Sequence, residues 1–561
     1  MGVPGFFLWL IKKYKNKKIV FPKVKAETSD MIHNIDYLLI DMNCMIHPEC
    51  FKTLDNIQTT DFKKIEAKMR INVLSYLEKI IEHNMPKKGV YLAIDGVAPI
   101  AKMKQQRLRR YKSIKDKELY DNIRTKHNKP NPVYWNNSAI TPGTKFMNQL
   151  HLHIIDWIKE YEYKHKINII YSSYLEPSEG EHKLLQFIRN NEKKDYTYSI
   201  YGLDADLIFL ALSTGLDNIY LMRENKILKD NKDNGCDGFN YVSIKIMKEC
   251  IVDSICTTSA DTNINNTTSI INDFIFICYL MGNDFLPHLP SLDIHDGAID
   301  FMITKYIEVR NKFPGEYLVI NKTEIDINTP MFYEFIYAIA QNEEAMLIKK
   351  YNKKQYRNIC SSTDPYDIEI YNIENMKFKV NDTIKLGSDN MNEWRKRYYN
   401  HYYNVKENEI DEFATKMVSH YLRGLKWIAS YYFDKCPEWD WFYPYNTAPF
   451  LNDILIKPIL FNNIKFKLGE PITPFEQLLT VLPKQSYYLL PECLQKIMLN
   501  CNSSISHLYP SYVELDMIGK NKYWMVEPIL PDIELNLIRY MFQKYSTHLT
   551  KDLVIRNTNI F

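Results

Sequence analysis

The chain has 561 residues, 45% of them hydrophobic, and its 71 lysines and arginines against 68 aspartates and glutamates leave a formal net charge of +3. That is enough apolar residue for a large core, and the near-neutral balance excludes nucleic-acid binding by bulk charge, so any such site must come from local clustering. The ten cysteines form neither a CxxC pair nor a Cys/His group at zinc spacing, which argues against a disulfide framework or structural zinc and fits a reducing compartment.

No apolar run approaches the length of about 18 residues that a membrane span needs. The first residues lack a charged stretch followed by an apolar one, so no signal peptide is expected, and Phe6 sits where a myristoylation signal wants Ser or Thr.

In chain order, 36–46 (DYLLIDMNCMI) reads as an apolar strand and 63–83 as a helix. Residues 89–95 (GVYLAID) read as a second strand, stopped by Asp95. After Pro99 comes a helix rich in Lys, Arg and Gln, and then a helix over 144–165. Strands follow at 167–172 and 197–203. Strand–helix alternation of this kind predicts an α/β fold with a largely parallel sheet covered by helices, whose site lies beyond the carboxyl ends of the strands. The polar stretch 257–269 reads as a surface loop, 350–400 as a connecting segment with some helix, and 419–450 as an aromatic-dense block.

Carboxylates recur at the ends of these apolar runs. Asp41 ends LLID, and Asp95 ends YLAID. Glu179 and Glu181 sit in EPSEGEHK, Asp204 and Asp206 in YGLDADL, and Asp284 in MGNDFLPHL. Any one of them alone reads as a cap, a turn residue or a surface charge. Seven at strand ends read as a set. Seven like charges at one sheet edge repel and hold protons unless cations neutralise them, and oxygen-only ligands suit magnesium or manganese better than zinc. Two such ions can activate water and stabilise the leaving oxygen of a phosphodiester. Gly180 permits a tight turn between the two glutamates. His182 is a weaker candidate, for orienting substrate or for packing.

Lys102, Gln106, Arg109 and Arg110 fall on one helical face a few residues after Asp95. Two guanidinium forks, an ammonium and an amide can surround a terminal phosphate, although a solvated basic face has the same spacing. A phosphate gripped beside the metals would fix which bond is cut. Residues 434–453 (DKCPEWDWFYPYNTAPFLND) bring aromatics together, and most are expected to pack in the core. One of Trp439 and Trp441 is expected to stack with His47 on unpaired bases.

The blocks MGVPGFFLWL, LLIDMNCMIH, AIDGVAPIAKMKQQRLRR, ITPGTKF, EGEHK, YGLDADLI, FICYLMGNDFLPHLPSL, YLRGLKWIASYYF, WFYPYNTAPF and PFEQLLTVLP resemble, in order, the Xrn family of 5′→3′ exoribonucleases. The resemblance implies a processive, magnesium-dependent enzyme that degrades single-stranded RNA bearing a 5′-monophosphate to nucleoside 5′-monophosphates. It assigns the seven carboxylates to two metal ions, with manganese able to substitute. The stripe from Lys102 to Arg110 becomes the 5′-phosphate pocket, and His47 with a nearby Trp the base-stacking pair.

It further implies a PIN/5′-nuclease-like core with a mainly helical second conserved region packed against it. The expected divisions are a nuclease core at 1–310, a connecting segment at 311–409, the second conserved region at 410–500, and a tail or brace at 501–561. Two departures stand out: Ile100 replaces a basic residue common in the family, and Ser178 a common glycine, which a loop should tolerate. The chain is expected to be a cytoplasmic monomer acting in mRNA decay without membrane association. The competing readings are a structure-specific 5′ nuclease on DNA flaps and an inactive RNA-binding scaffold.

Overall fold

A computed structural model describes residues 5–17, 19–22, 34–57, 59–191, 195–202, 204–224, 238–256, 264–321, 323–353 and 360–561. Seven strands form the main sheet: β1 (Val20–Pro22), β2 (Tyr37–Asp41), β3 (Gly89–Ala93), β4 (Ile169–Ser172), β5 (Tyr198–Tyr201), β6 (Ile219–Glu224) and β7 (Phe239–Ser243). Their order is β1-β7-β6-β5-β2-β3-β4. From β6 to β4 every pair is parallel, and β7 and β1 complete the sheet in antiparallel fashion. The expected α/β class with a largely parallel sheet is therefore the observed one.

The described helices of this half are α1 (Phe6–Lys13), α2 (Asn43–Asn56), α3 (Phe62–Asn84), α4 (Ile100–Lys126), α5 (Lys145–His165), α6 (Gly180–Asn190), α7 (Asp206–Ser213), α8 (Ile244–Ile255) and α9 (Ile264–Tyr279). Both faces of the sheet are buried, which is why its strands read as continuous apolar runs. Alternate residues serve opposite cores. Leu39, Ala93 and Ile200 join one; Leu38, Ile40, Leu92 and Tyr201 join the other. The register pairs Asp41 with Ala93 and Ala93 with Ser172, so the central strands end level.

The strand expected over 36–46 stops at Asp41. Asp41 Oδ1 accepts from the Asn43 N–H at 3.1 Å and starts α2, so Met42 to Ile46 turn into helix. The loop expected at 257–269 lies partly outside the described residues, and its last six residues already belong to α9. The helices expected at 63–83 and 144–165 are α3 and α5. α3 is capped by Asp61, which accepts from the Lys63 N–H, and α5 by Thr144, which accepts from the Met147 N–H.

The rest of the chain is mainly helical: α10 (Ala298–Arg310), α11 (Thr329–Ala340), α12 (Glu343–Asn352), α13 (Pro365–Glu374), α14 (Met391–Tyr403), α15 (Ile410–Phe433), α16 (Leu451–Ile456), α17 (Pro474–Val481), α18 (Glu492–Leu499), α19 (Leu535–Ser546) and α20 (Lys551–Arg556). α15 is buried on every side from Gly424 to Phe433 and packs on α7 and α9. A third core joins Val97, Ile100 and Met103 at the start of α4 to Phe475, Leu479, Leu508 and Phe542. No described helix is long and apolar enough to cross a membrane.

Candidate active site

β5, β2, β3 and β4 are adjacent and parallel, so their following loops meet at one edge. Asp41 is the last residue of β2. Asp95 follows β3 by two residues. Glu179 is the N-cap of α6 and Glu181 lies in its first turn. Asp204 precedes α7, Asp206 begins it, and Asp284 arrives from the loop after α9. Each of the seven feels the charge of another: Asp41 that of Asp95 and Asp204, Asp95 that of Glu179, Glu181 that of Asp206, and Asp206 that of Asp284. The structure thus brings all seven together.

Their electrostatics follow from crowding without water. Burial, reinforced by Asp95, pushes the Asp41 carboxyl up to about 7. Burial and then Glu179 push Asp95 to about 6; burial and then Asp284 push Asp206 to about 7. Burial holds Glu181 well above the carboxylate range. Asp284 runs the other way. Burial would raise it, but the charge and hydrogen bond of Lys102 together with other nearby cations, Arg109 among them, outweigh that and hold it well below the usual range. Lys102 Nζ sits 2.5 Å from Glu179 Oε2 and 2.7 Å from Asp284 Oδ2, a cation lodged between two of the carboxylates.

This donor set fits hard divalent cations. The strand-end side chains offer oxygen only, Asp41, Asp95, Glu181 and Asp206 hold their protons more tightly than a free carboxyl does, and the Lys102 ammonium already lies among them. Ligand atoms of Glu179, Glu181 and His182 all lie within 4.8 Å of one another. His182 packs its ring 3.8 Å from that of Tyr431, and burial holds it neutral.

The basic face of α4 divides in two. Lys102 faces the carboxylates. Arg109, the most exposed of the four, reaches Asp284 at 3.6 Å. Arg110 is packed in: Nη2 donates to Thr141 Oγ1 at 2.9 Å, Nη1 has no protein partner, and burial lowers its guanidinium to about 9. Gln106 Oε1 accepts from Gln477 Nε2 of α17 at 3.1 Å. A solvated basic face would not be walled by Thr141 and Gln477, both almost fully buried. His47, on α2, feels Arg110, Arg109 and Asp204, and burial lowers it to about 4, so it is a neutral ring between the guanidinium groups and the carboxylates.

The two tryptophans separate. Trp441 is 6% exposed and stacks on Trp427 at 4.9 Å, so the expectation that it offers a face to a base is corrected: it is a core residue. Trp439 is half-buried. Its carbonyl accepts from the Ile100 N–H at 2.9 Å, which ties it to the start of α4. Ile100 itself is buried in the third core, where a basic residue would lack a partner.

Several supporting residues escaped the reading of the sequence. Asn43 Nδ2 donates to Asp95 Oδ2 at 2.8 Å while its backbone holds Asp41. Tyr431, from α15, donates to Glu179 Oε1 at 2.8 Å. Lys183 Nζ donates to the carbonyls of Ile94 and Ser173 and joins the loops after β3 and β4. Asn43 alone had a local signal, two residues after Asp41. Gly180 also has another reason than a turn. A Cβ there would lie 2.9 Å from Asp41 Oδ1 and 3.3 Å from Asp95 Oδ1, so the carboxylates require its bare backbone. Ser178 has φ 112, a conformation costly for a residue with a side chain, so it is less freely tolerated than expected.

A largely parallel α/β sheet with carboxylates at its carboxyl edge and a basic helix face backed by Thr141 and Gln477 beside them is an arrangement suited to divalent-cation nuclease chemistry. Family comparison names the group. Residues 1–225 match the model of the XRN 5′-3′ exonuclease N-terminus, and 264–367 with 366–561 match that of the Xrn1 helical domain. The chain belongs to the Xrn family. It is 28% identical to 5′-3′ exoribonuclease 2 of Candida albicans, over 100% of this chain and 74% of that one. It is 27% identical to 5′-3′ exoribonuclease 2 of Arabidopsis thaliana, over 100% and 69%. It is 30% identical to human 5′-3′ exoribonuclease 1, over 95% of this chain and 33% of the relative. Among solved structures, the catalytic core of Rad2 in complex with DNA substrate matches at 13% identity, over 73% of this chain and 98% of that one. Its TM-score of 0.30 is too low to carry an argument.

Proposed function

We propose that the protein is a processive 5′→3′ exoribonuclease that degrades 5′-monophosphorylated single-stranded RNA to nucleoside 5′-monophosphates in cytoplasmic mRNA decay. Family membership supports the reaction. The observation that carries the finer reading is the position of Lys102, which lies on the basic face of α4 and between two of the carboxylates.

Asp41, Asp95, Glu179, Glu181, Asp204, Asp206 and Asp284 would hold two magnesium or manganese ions. Bound there, such ions supply an activated water and charge stabilisation at the leaving oxygen. The chain's own residues do the rest. Arg110 and Arg109 offer guanidinium forks to the terminal phosphate, and Gln106 adds an amide. Lys102 releases its carboxylates and turns its ammonium toward phosphate oxygens. His47, neutral at pH 7, and Trp439 stack on the first bases without reading them. Because the pocket is closed behind by Thr141 and Gln477, only a 5′ end fits, and the bond presented to the carboxylates is the first one. That end-wall favours an exonuclease over a flap nuclease that cuts inside a strand. In this reading 1–310 and 410–500 form one catalytic body, 311–409 connects them, and 501–561 braces the pocket.

The test is one RNA in three forms, 5′-monophosphate, 5′-hydroxyl and capped, each incubated with magnesium and with EDTA. Mononucleotides from the monophosphate form alone, and only with magnesium, are expected. Equal cutting of all three would reduce the basic stripe to a surface feature. Preferred cutting of flap DNA would favour the alternative nuclease, and binding without cleavage the scaffold.

A further inference from the structure

The walls of the basic pocket are held from the far end of the sequence. Arg556, the last residue of α20, is 9% exposed, and its Nη2 donates to the Gly143 carbonyl at 2.6 Å. Gly143 belongs to the turn 141–144, whose Thr141 hydroxyl receives Arg110. The turn has no slack. Gly143 has φ +83, and a Cβ there would lie 2.9 Å from Pro474 at the head of α17.

The next residue reaches the other wall. Asn557 Oδ1 accepts from the Phe475 N–H at 2.7 Å, one of the free amides in the first turn of α17. α17 carries Gln477, the partner of Gln106. Asn559 Nδ2 donates to the Ile472 carbonyl at 3.0 Å, just ahead of the same helix. The Ile560 N–H donates to the Leu175 carbonyl at 2.9 Å, in the loop that leads to Glu179. Four residues within a stretch of five thus fasten the turn behind Arg110, the helix behind Gln106 and the approach to Glu179.

We propose that residues 556–560 are a positioning clamp that sets the shape of the 5′-phosphate pocket, and that Arg556 and Asn557 govern discrimination by the RNA 5′ end without touching RNA. The proposal rests on the reading of Lys102, Gln106, Arg109 and Arg110 as that pocket. A guanidinium bonded to a buried carbonyl fixes the turn more firmly than a neutral donor would, and it is the Thr141 hydroxyl on that turn that receives the Arg110 fork. Loosening the turn moves the fork and leaves the carboxylates in place.

The experiment measures kcat and KM for 5′-monophosphate and 5′-hydroxyl RNA with wild type, Arg556→Ala, Arg556→Lys, Asn557→Ala, Asn557→Asp and Arg110→Ala, beside thermal melts. Arg556→Ala and Asn557→Ala are each expected to raise KM for 5′-monophosphate RNA about tenfold and to cut the monophosphate preference by the same factor, with kcat within about twofold. Arg556→Lys keeps a charged donor and Asn557→Asp keeps the acceptor, so both should recover most of the preference. Preserved preference in the two folded alanine variants, while Arg110→Ala loses it, would overturn the clamp and keep the pocket. Wild type with no preference for the monophosphate would overturn the pocket and the clamp with it. If an alanine variant does not fold, Arg556→Gln, which keeps a donor but loses the charged fork, decides: a reduced monophosphate preference with kcat held supports the clamp, and a preference unchanged from wild type overturns it.

Discussion

Replacing Gly180 with alanine should separate activity from stability. The added Cβ would stand 2.9 Å from Asp41 Oδ1 and 3.3 Å from Asp95 Oδ1. A carbon–oxygen contact of even the close kind needs about 3.3–3.6 Å, so the Asp41 carboxylate must retreat by roughly 0.5 Å. Asp41 is hemmed in by the Asn43 N–H and the Cys44 thiol, and Asp95 by the Gly180 N–H itself, so the shift is shared by two carboxylates. Displacements of this order at reacting groups cost up to about a hundredfold in rate. The backbone gains, because Gly180 opens α6 and alanine is the better helix former by about 0.5–1 kcal/mol. The assay is release of mononucleotides from 5′-monophosphate RNA across a magnesium titration, with a thermal melt of the same sample. Activity should fall at least tenfold and the magnesium midpoint rise, while the melting temperature holds or increases. Full activity at an unchanged midpoint would refute the close packing of carboxylates on this glycine.

Lys102→Met should destabilise the protein in EDTA by about 3 kcal/mol, since it strands Glu179 and Asp284 without their cation, and magnesium should restore much of the loss; an equal deficit with and without magnesium would count against the pairing. Asp41 and Asp206 at about 7 and Asp95 at about 6 hold protons in the folded chain that an unfolded chain releases near 3.9, so metal-free stability should decline as pH rises from about 4 to 7. Magnesium displaces those protons, so its shift of the melting temperature should be large at pH 7.5 and small at pH 5; equal shifts would contradict the protonated site. Trp439→Ala should raise KM for RNA severalfold and leave the melting temperature nearly unchanged, whereas Trp441→Ala opens a hole beside Trp427 and should cost about 3–5 kcal/mol on a denaturant curve; the reverse pattern would return base stacking to Trp441. Ser178→Gly relieves a residue at φ 112 and should stabilise by about 1 kcal/mol, and a destabilised variant would show that the hydroxyl matters more than the backbone.

Asp41 and Asp95 were legible because each closes a short apolar run, and Glu179, Glu181, Asp204 and Asp206 because they follow such runs, and parallel β2, β3, β4 and β5 carry their C-terminal ends to one edge by rule; Asp284 instead follows the apolar helix α9. The basic stripe was legible from helical spacing, but not its division of labour. Lys102 and Arg110 look alike in sequence, and only the loops packed against α4 decide that one meets carboxylates and the other Thr141. The two tryptophans, two residues apart in an aromatic block, could not be told apart because the deciding neighbour, Trp427, comes from another element. The same is true of Tyr431 against Glu179 and Arg556 against Gly143. Side-chain ties across hundreds of residues leave no local pattern, whereas caps such as Thr144 and the pair Thr473 and Glu476 do. The early end of the 36–46 strand is a local miss: Asp41 both ends the strand and accepts from the N–H of Asn43, the first residue of α2, and its apolar successors suit either.

The hydrogen bond from Tyr431 to Glu179 spans 252 residues. At about 5–20 residues per second, a ribosome needs roughly 10–50 s to deliver the tyrosine after the glutamate. The residues of the sheet and its acidic edge are therefore synthesised well before those that orient Glu179, and the ones that brace Arg110 come later still. An enzyme that begins at RNA 5′ ends is thus made beside a messenger whose own 5′ end is close by, with its cutting site unfinished for most of its synthesis. The long reach of these contacts ties the finished site to residues of the helical half that are made last.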